Sequence, residues 1–142
     1  MDQTQGIAHQ HVLCVVAWWP EGNSVAGTFI KEHIIAVAHS CTVEVVHVHL
    51  VKGNRPWPSR EIRTSNADGI RVHSITIRTP IRRFGSFEYL DRKAYTELAK
   101  ELHSERPFDL MHIHVRNEIT EHALPIAEAL DLPVVVTEHA SH

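Results

Sequence analysis

The 142-residue chain lacks the features of a secreted, membrane-spanning or nucleic-acid-binding protein. It has two cysteines, Cys14 and Cys41, each in or beside a short apolar run. A disulfide framework needs more cysteines in an oxidising compartment, so both read as buried free thiols of a cytoplasmic protein. The first ten residues are polar, without the apolar segment of a signal peptide. No apolar run approaches the roughly 18 residues of a membrane-spanning helix. A net charge of −3, histidines taken as neutral, leaves no basic footprint for bulk nucleic-acid binding. The dinucleotide pattern G-x-G-x-x-G and the phosphate-loop pattern G-x-x-x-x-G-K-[ST] are both missing, which disfavours a nicotinamide dehydrogenase and a P-loop enzyme. There is no Asp-x-Asp motif.

A hydrophobic share of 43% and a charged share of 22% are ordinary for a soluble globular domain. A chain of about 150 residues can bury roughly 68–70% of its unfolded surface, enough for one domain with its own core. Histidine is the abundance: 13 residues, scattered rather than gathered into a tag.

Apolar patterning gives the element order β-α-β-β-α-β-α-β. Short β-branched runs predict strands at His11–Ala17, Val43–Val51, Leu110–Val115 and Pro133–Thr137. Glu44, His47 and His49 suggest that the second of these is partly exposed. Ile70–Arg78 alternates, with Ser74 out of phase, so a bulge is expected there. Thr28–His39 reads as a helix with Phe29, His33, Ile34, Val37 and Ala38 on its inner face. Ser86–Glu105 is a longer helix, with Ser86 as N-cap and Leu90, Ala94, Leu98 and Leu102 every four residues. Glu118–Leu130 is helical, kinked or late-starting because of Pro125. Lys52–Gly69 reads as a loop or as a loop with a short strand or turn inside, and Thr79–Gly85 as a second long loop. Strands alternating with helices imply a Rossmann-like, three-layer α/β/α domain, its sheet mostly parallel and five-stranded. Such sheets bind ligands at the carboxyl ends of their strands.

Three of those ends carry chemistry. Gly27 opens the first helix, where backbone amides can meet an anion; the plainer reading is relief of a tight turn. Glu138-His139 ends the last strand as an acid/base or orienting pair, or as a hydrogen-bonded closure of the sheet. His47-Val48-His49 and His112-Ile113-His114 each set two imidazoles on one strand face. Without a third ligand at a telling spacing, no metal is expected. Arg78, Arg82 and Arg83 can meet an anionic acceptor or lipid head groups, or form a solvated loop. Trp18, Trp19 and Trp57 can stack on sugars or pack at the edge of the core.

The run Val12-Leu13-Cys14-Val15-Val16-Ala17-Trp18-Trp19-Pro20, followed by Ala26-Gly27-Thr28-Phe29-Ile30-Lys31-Glu32-His33, resembles the opening of the family-four retaining glycosyltransferases. Phe108–Val115 is similar to their fourth strand and Leu132–His139 to their fifth. The resemblance spans the chain in order. It implies the N-terminal, acceptor-side half of a two-domain GT-B fold and transfer of a sugar from a nucleotide-sugar co-substrate to a saccharide or lipid-linked acceptor in surface polysaccharide synthesis. It implies that Gly27 and Thr28 face the donor phosphates, where Ala26 replaces the family's other glycine, and that His139 lies at the transferred sugar. It also implies that His114, Arg116 and Glu138 line the acceptor cleft, that no metal cofactor is used, and that the enzyme works in the cytoplasm, peripheral to the inner membrane face. The family's donor-binding domain, with its E-x₇-E glutamates, lies further along the chain than His142, so the nucleotide-sugar site is expected in a C-terminal domain absent here, and the fragment alone is expected to be inactive. The competing readings are a free-standing small-ligand or partner-binding module and a histidine-rich metal-binding domain.

Overall fold

Five apolar runs become parallel strands, and a polar sixth joins them. The computed structural model describes residues 10–16, 19–20, 28–79, 85–116 and 118–138. In chain order the elements are β1 (His11–Val16), α1 (Thr28–Ala38), β2 (Thr42–Lys52), β3 (Ser59–Ala67), β4 (Ile70–Thr79), α2 (Gly85–Glu105), β5 (Leu110–His114), α3 (Glu118–Glu121), α4 (Leu124–Ala129) and β6 (Val134–Thr137). The sheet order is β3-β4-β2-β1-β5-β6. Every neighbouring pair is parallel except β3 with β4. The parallel strands therefore run outward in both directions from β1, the arrangement of a doubly wound Rossmann-like sheet.

β1 is central and buried at all six positions, which is why it reads as a continuous apolar run rather than an alternating one. Its side chains divide between two cores. Leu13 and Val15 join Val46, Val48, Ile75 and Ile77 beneath Tyr95, Leu98 and Leu102 of α2 and Ile126 of α4. Val12, Cys14 and Val16 join Val43, Val45 and Val72 beneath Ile30 and Ile34 of α1. Helices cover both faces, so the three-layer α/β/α expectation holds.

Several details differ from the sequence reading. The Lys52–Gly69 segment, expected as a loop with a short strand or turn inside, holds the nine-residue β3, so the sheet formed by the described residues has six strands rather than five. Most of β3 is exposed, and an edge strand facing water needs no apolar periodicity. It turns into β4 through Asp68 and Gly69, with φ of 54° and 80°, the two left-handed positions of a tight hairpin. The expected bulge at Ser74 is not there: β4 pairs without interruption from Arg71 to Thr79 with β2 and along its length with β3. Ser74 instead meets Nε2 of His47 through its hydroxyl, at 2.6 Å. Glu44 and His47 are buried and only His49 is exposed, because both β2 residues find polar partners inside the sheet. The inner stripe of α1 is Ile30 and Ile34, with Val37 and Ala38 half-buried against the same core as expected; Phe29 is 80% exposed, and His33, though exposed, sets its ring against His112 and His114. α2 begins at Gly85, one residue before the expected cap, and buries Ala94, Leu98 and Leu102 as expected, while the Leu90 side chain lies outside what the structure describes. The Glu118–Leu130 helix is two short helices, with Pro125 in the first turn of the second, where its missing N–H goes unneeded.

Candidate functional site

Strand order reverses between β1 and β5, and a doubly wound sheet offers its ligand crevice beyond the carboxyl ends at that point. The backbone leaves β5 there in an unusual way. Val115 has φ 66°, a left-handed conformation that is a steric outlier for a β-branched residue. Such strain costs on the order of 1–3 kcal/mol and concentrates at functional sites. Two bonds hold it: the Val115 N–H donates to the Thr137 carbonyl at 2.8 Å, and the Thr120 hydroxyl donates to the Val115 carbonyl at 2.9 Å. The turn brings Arg116 to the end of β6. Its N–H donates to Oε1 of Glu138 at 3.3 Å, while its guanidinium meets Glu121 at 3.0 Å and stays half exposed.

Arg116 and Glu138, 22 residues apart, are thus brought together. Thr28 is the half-buried first residue of α1. His114 is fully buried beneath this rim. Gly27 and His139 lie outside the described residues, as do Trp18, Arg82 and Arg83. Trp19 is half-buried, with the Lys31 ammonium 6.0 Å from its ring centroid. Trp57 is exposed on a small cleft of about 250 Å³ that it shares with Arg55 and Arg78. Arg78 also pairs with Glu61 at 3.3 Å.

Sequence spacing alone offers no third ligand for the His112–His114 pair. Strand pairing supplies one: Cys14 of β1 stands opposite His112 of β5. Donor atoms of Cys14, His112 and His114 all lie within 4.8 Å of one another. Burial, and secondarily Cys41, pushes the Cys14 thiol far above its ordinary range, so without a ligand it is a protonated thiol. Both cysteines are free. The signal for the trio was present as matched alternation, since Cys14 and the two histidines each occupy the second phase of an otherwise apolar strand. Only the register joins them.

A second histidine cluster lies at the amino ends of the strands, on the opposite face. Glu44 accepts from His11 at 2.8 Å and from His73 at 2.9 Å, and meets Arg71 at 3.1 Å. Burial pushes its carboxyl up, but the His73 hydrogen bond and the charges of Arg71, His73 and His11 outweigh this and hold it below the usual 4.5. Nδ1 of His11 faces the carbonyls of Arg106 and Pro107 at 3.2 and 3.1 Å. Both ring nitrogens of His11 therefore face oxygen atoms, Nε2 the Glu44 carboxylate and Nδ1 the two carbonyls.

No protein-family model matches the chain, and no curated protein matches it. Among solved structures it is similar to that of trehalose-6-phosphate from E. coli bound with UDP-2-fluoro glucose, at 15% identity and a TM-score of 0.47, over 88% of this chain and 32% of that one. The chain thus spans about a third of the length of that neighbour.

Proposed function

We propose that this chain is the N-terminal, acceptor-side domain of a retaining glycosyltransferase that moves a sugar from a nucleotide-sugar to a saccharide or lipid-linked acceptor in surface polysaccharide synthesis. The observation that carries the reading is the strained turn at Val115, which sits at the strand-order reversal and turns Arg116 toward Glu138. A sheet that holds a β-branched residue left-handed at its ligand-binding end is maintaining a shaped rim there. The sequence resemblance assigns that rim to the acceptor.

In this reading Arg116 and Glu138 face the acceptor, and His114 supports the rim from below. Gly27 and Thr28 present backbone amides to the donor phosphates. His139 lies beside the transferred sugar. Retaining transfer develops positive charge on the sugar and negative charge on the departing phosphate. Amides and an imidazole fixed in a closed cleft stabilise both. The nucleotide-sugar itself is held by a further domain, and the protein works at the cytoplasmic face of the membrane.

Isothermal calorimetry of the 142-residue chain with uridine and guanosine diphosphate sugars tests this. Negligible heat is expected, together with no sugar transfer and a reading frame that continues beyond residue 142 for about one more domain. Micromolar binding to this chain alone would sink the acceptor-side reading and favour a self-contained ligand-binding module.

A further inference from the structure

Three donor groups that tetrahedral metal sites use converge on the face of the sheet beneath α1. Cys14 and His114 are fully buried and His112 is 8% exposed. All three belong to central strands, where the ladder fixes their spacing. His33 stands over them from α1, its ring centroid 5.1 Å from that of His114 and 6.0 Å from that of His112, edge-on to both.

We propose that Cys14, His112 and His114, closed by His33, bind a divalent transition-metal ion of the zinc class. The donor set selects it: one thiolate with imidazoles suits a borderline-soft ion and does not suit calcium or magnesium, which take oxygen. The spacing allows it. Bond lengths of about 2.3 Å to sulfur and 2.0–2.1 Å to nitrogen set tetrahedral edges of roughly 3.3–3.8 Å. The donor atoms lie within 4.8 Å of one another, so side-chain rotation of about an ångström closes the site. An outer partner is in place as well. Nε2 of His112 and the Thr137 hydroxyl are 2.8 Å apart, which orients the ring and leaves Nδ1 as the metal-facing nitrogen, as ligand histidines are commonly fixed. His33 is exposed yet already edge-on to both rings, so it can turn onto an ion entering between helix and sheet. Four protein ligands make a closed, structural site, which pins α1 to β1 and β5. No step of the proposed sugar transfer runs through the ion, so the metal-free chemistry expected of that transfer is unaffected.

Cobalt(II) titration of the full chain tests the site, using protein purified without a metal column and stripped with chelator. One equivalent is expected to give tetrahedral ligand-field bands in the visible and a thiolate-to-cobalt charge-transfer band in the near ultraviolet, both lost when zinc is added. Cys14→Ser removes the charge-transfer band, and Cys41→Ser keeps it. His33→Ala, at an exposed position of α1, keeps the band but weakens cobalt binding at least about tenfold, and so reads the site in a variant whose buried core is unchanged. The proposal is overturned if no cobalt is taken up, if cobalt binds without the thiolate band, or if the band survives Cys14→Ser or disappears in Cys41→Ser.

Discussion

The two buried histidine clusters occupy opposite faces of one sheet and handle the imidazole in opposite ways. At the amino ends, His11 and His73 surround the carboxylate of Glu44, and Arg71 adds a further charge. There the rings face a carboxylate, which accepts hydrogen bonds. Near the carboxyl ends, His112 and His114 lie with ring centroids 4.0 Å apart beside a thiol. There they offer lone pairs. What sits within hydrogen-bonding distance of a buried histidine decides its role. A carboxylate makes it part of a charge network, whereas a cysteine and further imidazoles make it a ligand.

The largest expected effect breaks the first cluster. Glu44→Ala leaves two histidines and an arginine without their shared acid, and it is expected to cost about 3–5 kcal/mol in urea unfolding. The linked pH dependence has a definite sign. Because the Glu44 carboxyl is held below its ordinary 4.5, its contribution is complete above about that pH and is lost as pH falls through the lowered folded value. Glu44→Gln is expected to flatten that acid limb of the stability curve; an unchanged limb would remove Glu44 as its source.

Zinc sharpens the contrast. At a hundredfold excess over its dissociation constant it is expected to add about 2.7 kcal/mol, or roughly 5–10 °C in the melting temperature of a domain this size. Glu44→Ala is expected to keep that increment and Cys14→Ser to lose it. Equal responses in the two variants would mean that zinc acts elsewhere. The smallest effect in this group is Thr137→Val, expected to weaken cobalt binding about 10–100-fold while leaving the thiolate band in place. An unchanged affinity would show that Thr137 does not position His112.

Much of this could be read from the sequence, and what could not has physical causes. β1, β2, β4 and β5 announced themselves as β-branched runs because they lie inside the sheet, whereas β6 reads the same way although Val134, Val135 and Val136 are exposed at its edge. β3 did not, since Ser59-Arg60-Glu61-Ile62-Arg63-Thr64-Ser65-Asn66 lies exposed at an edge; its only signal was Asp68-Gly69, a dipeptide characteristic of hairpins. Glu44 looked like a surface residue because His73, which satisfies it, lies 29 positions away. Phe29 looked like a core residue because apolar character alone does not fix the rotation of α1. The His112–His114 pair was visible as a pair, but Cys14 became its companion only through the β1–β5 register. Of the rim assigned by resemblance, Arg116 and Glu138 meet, whereas Gly27 and His139 lie outside the described residues.

The Asp68–Gly69 turn also bears on the order in which the sheet assembles. It joins β3 to β4 through two residues, so closing that pair costs little chain entropy, whereas each parallel pair waits for a crossover to fold back. Hairpins form in about 1–10 μs. β4 therefore meets β2 with its other edge already paired, and a slip of one residue between β3 and β4 is resisted before any core exists. Gly69→Ala, at φ 80°, is expected to cost about 1 kcal/mol and to appear mainly as slower refolding rather than faster unfolding. The least hydrophobic strand of the sheet thus acts as the jig for its most buried ones.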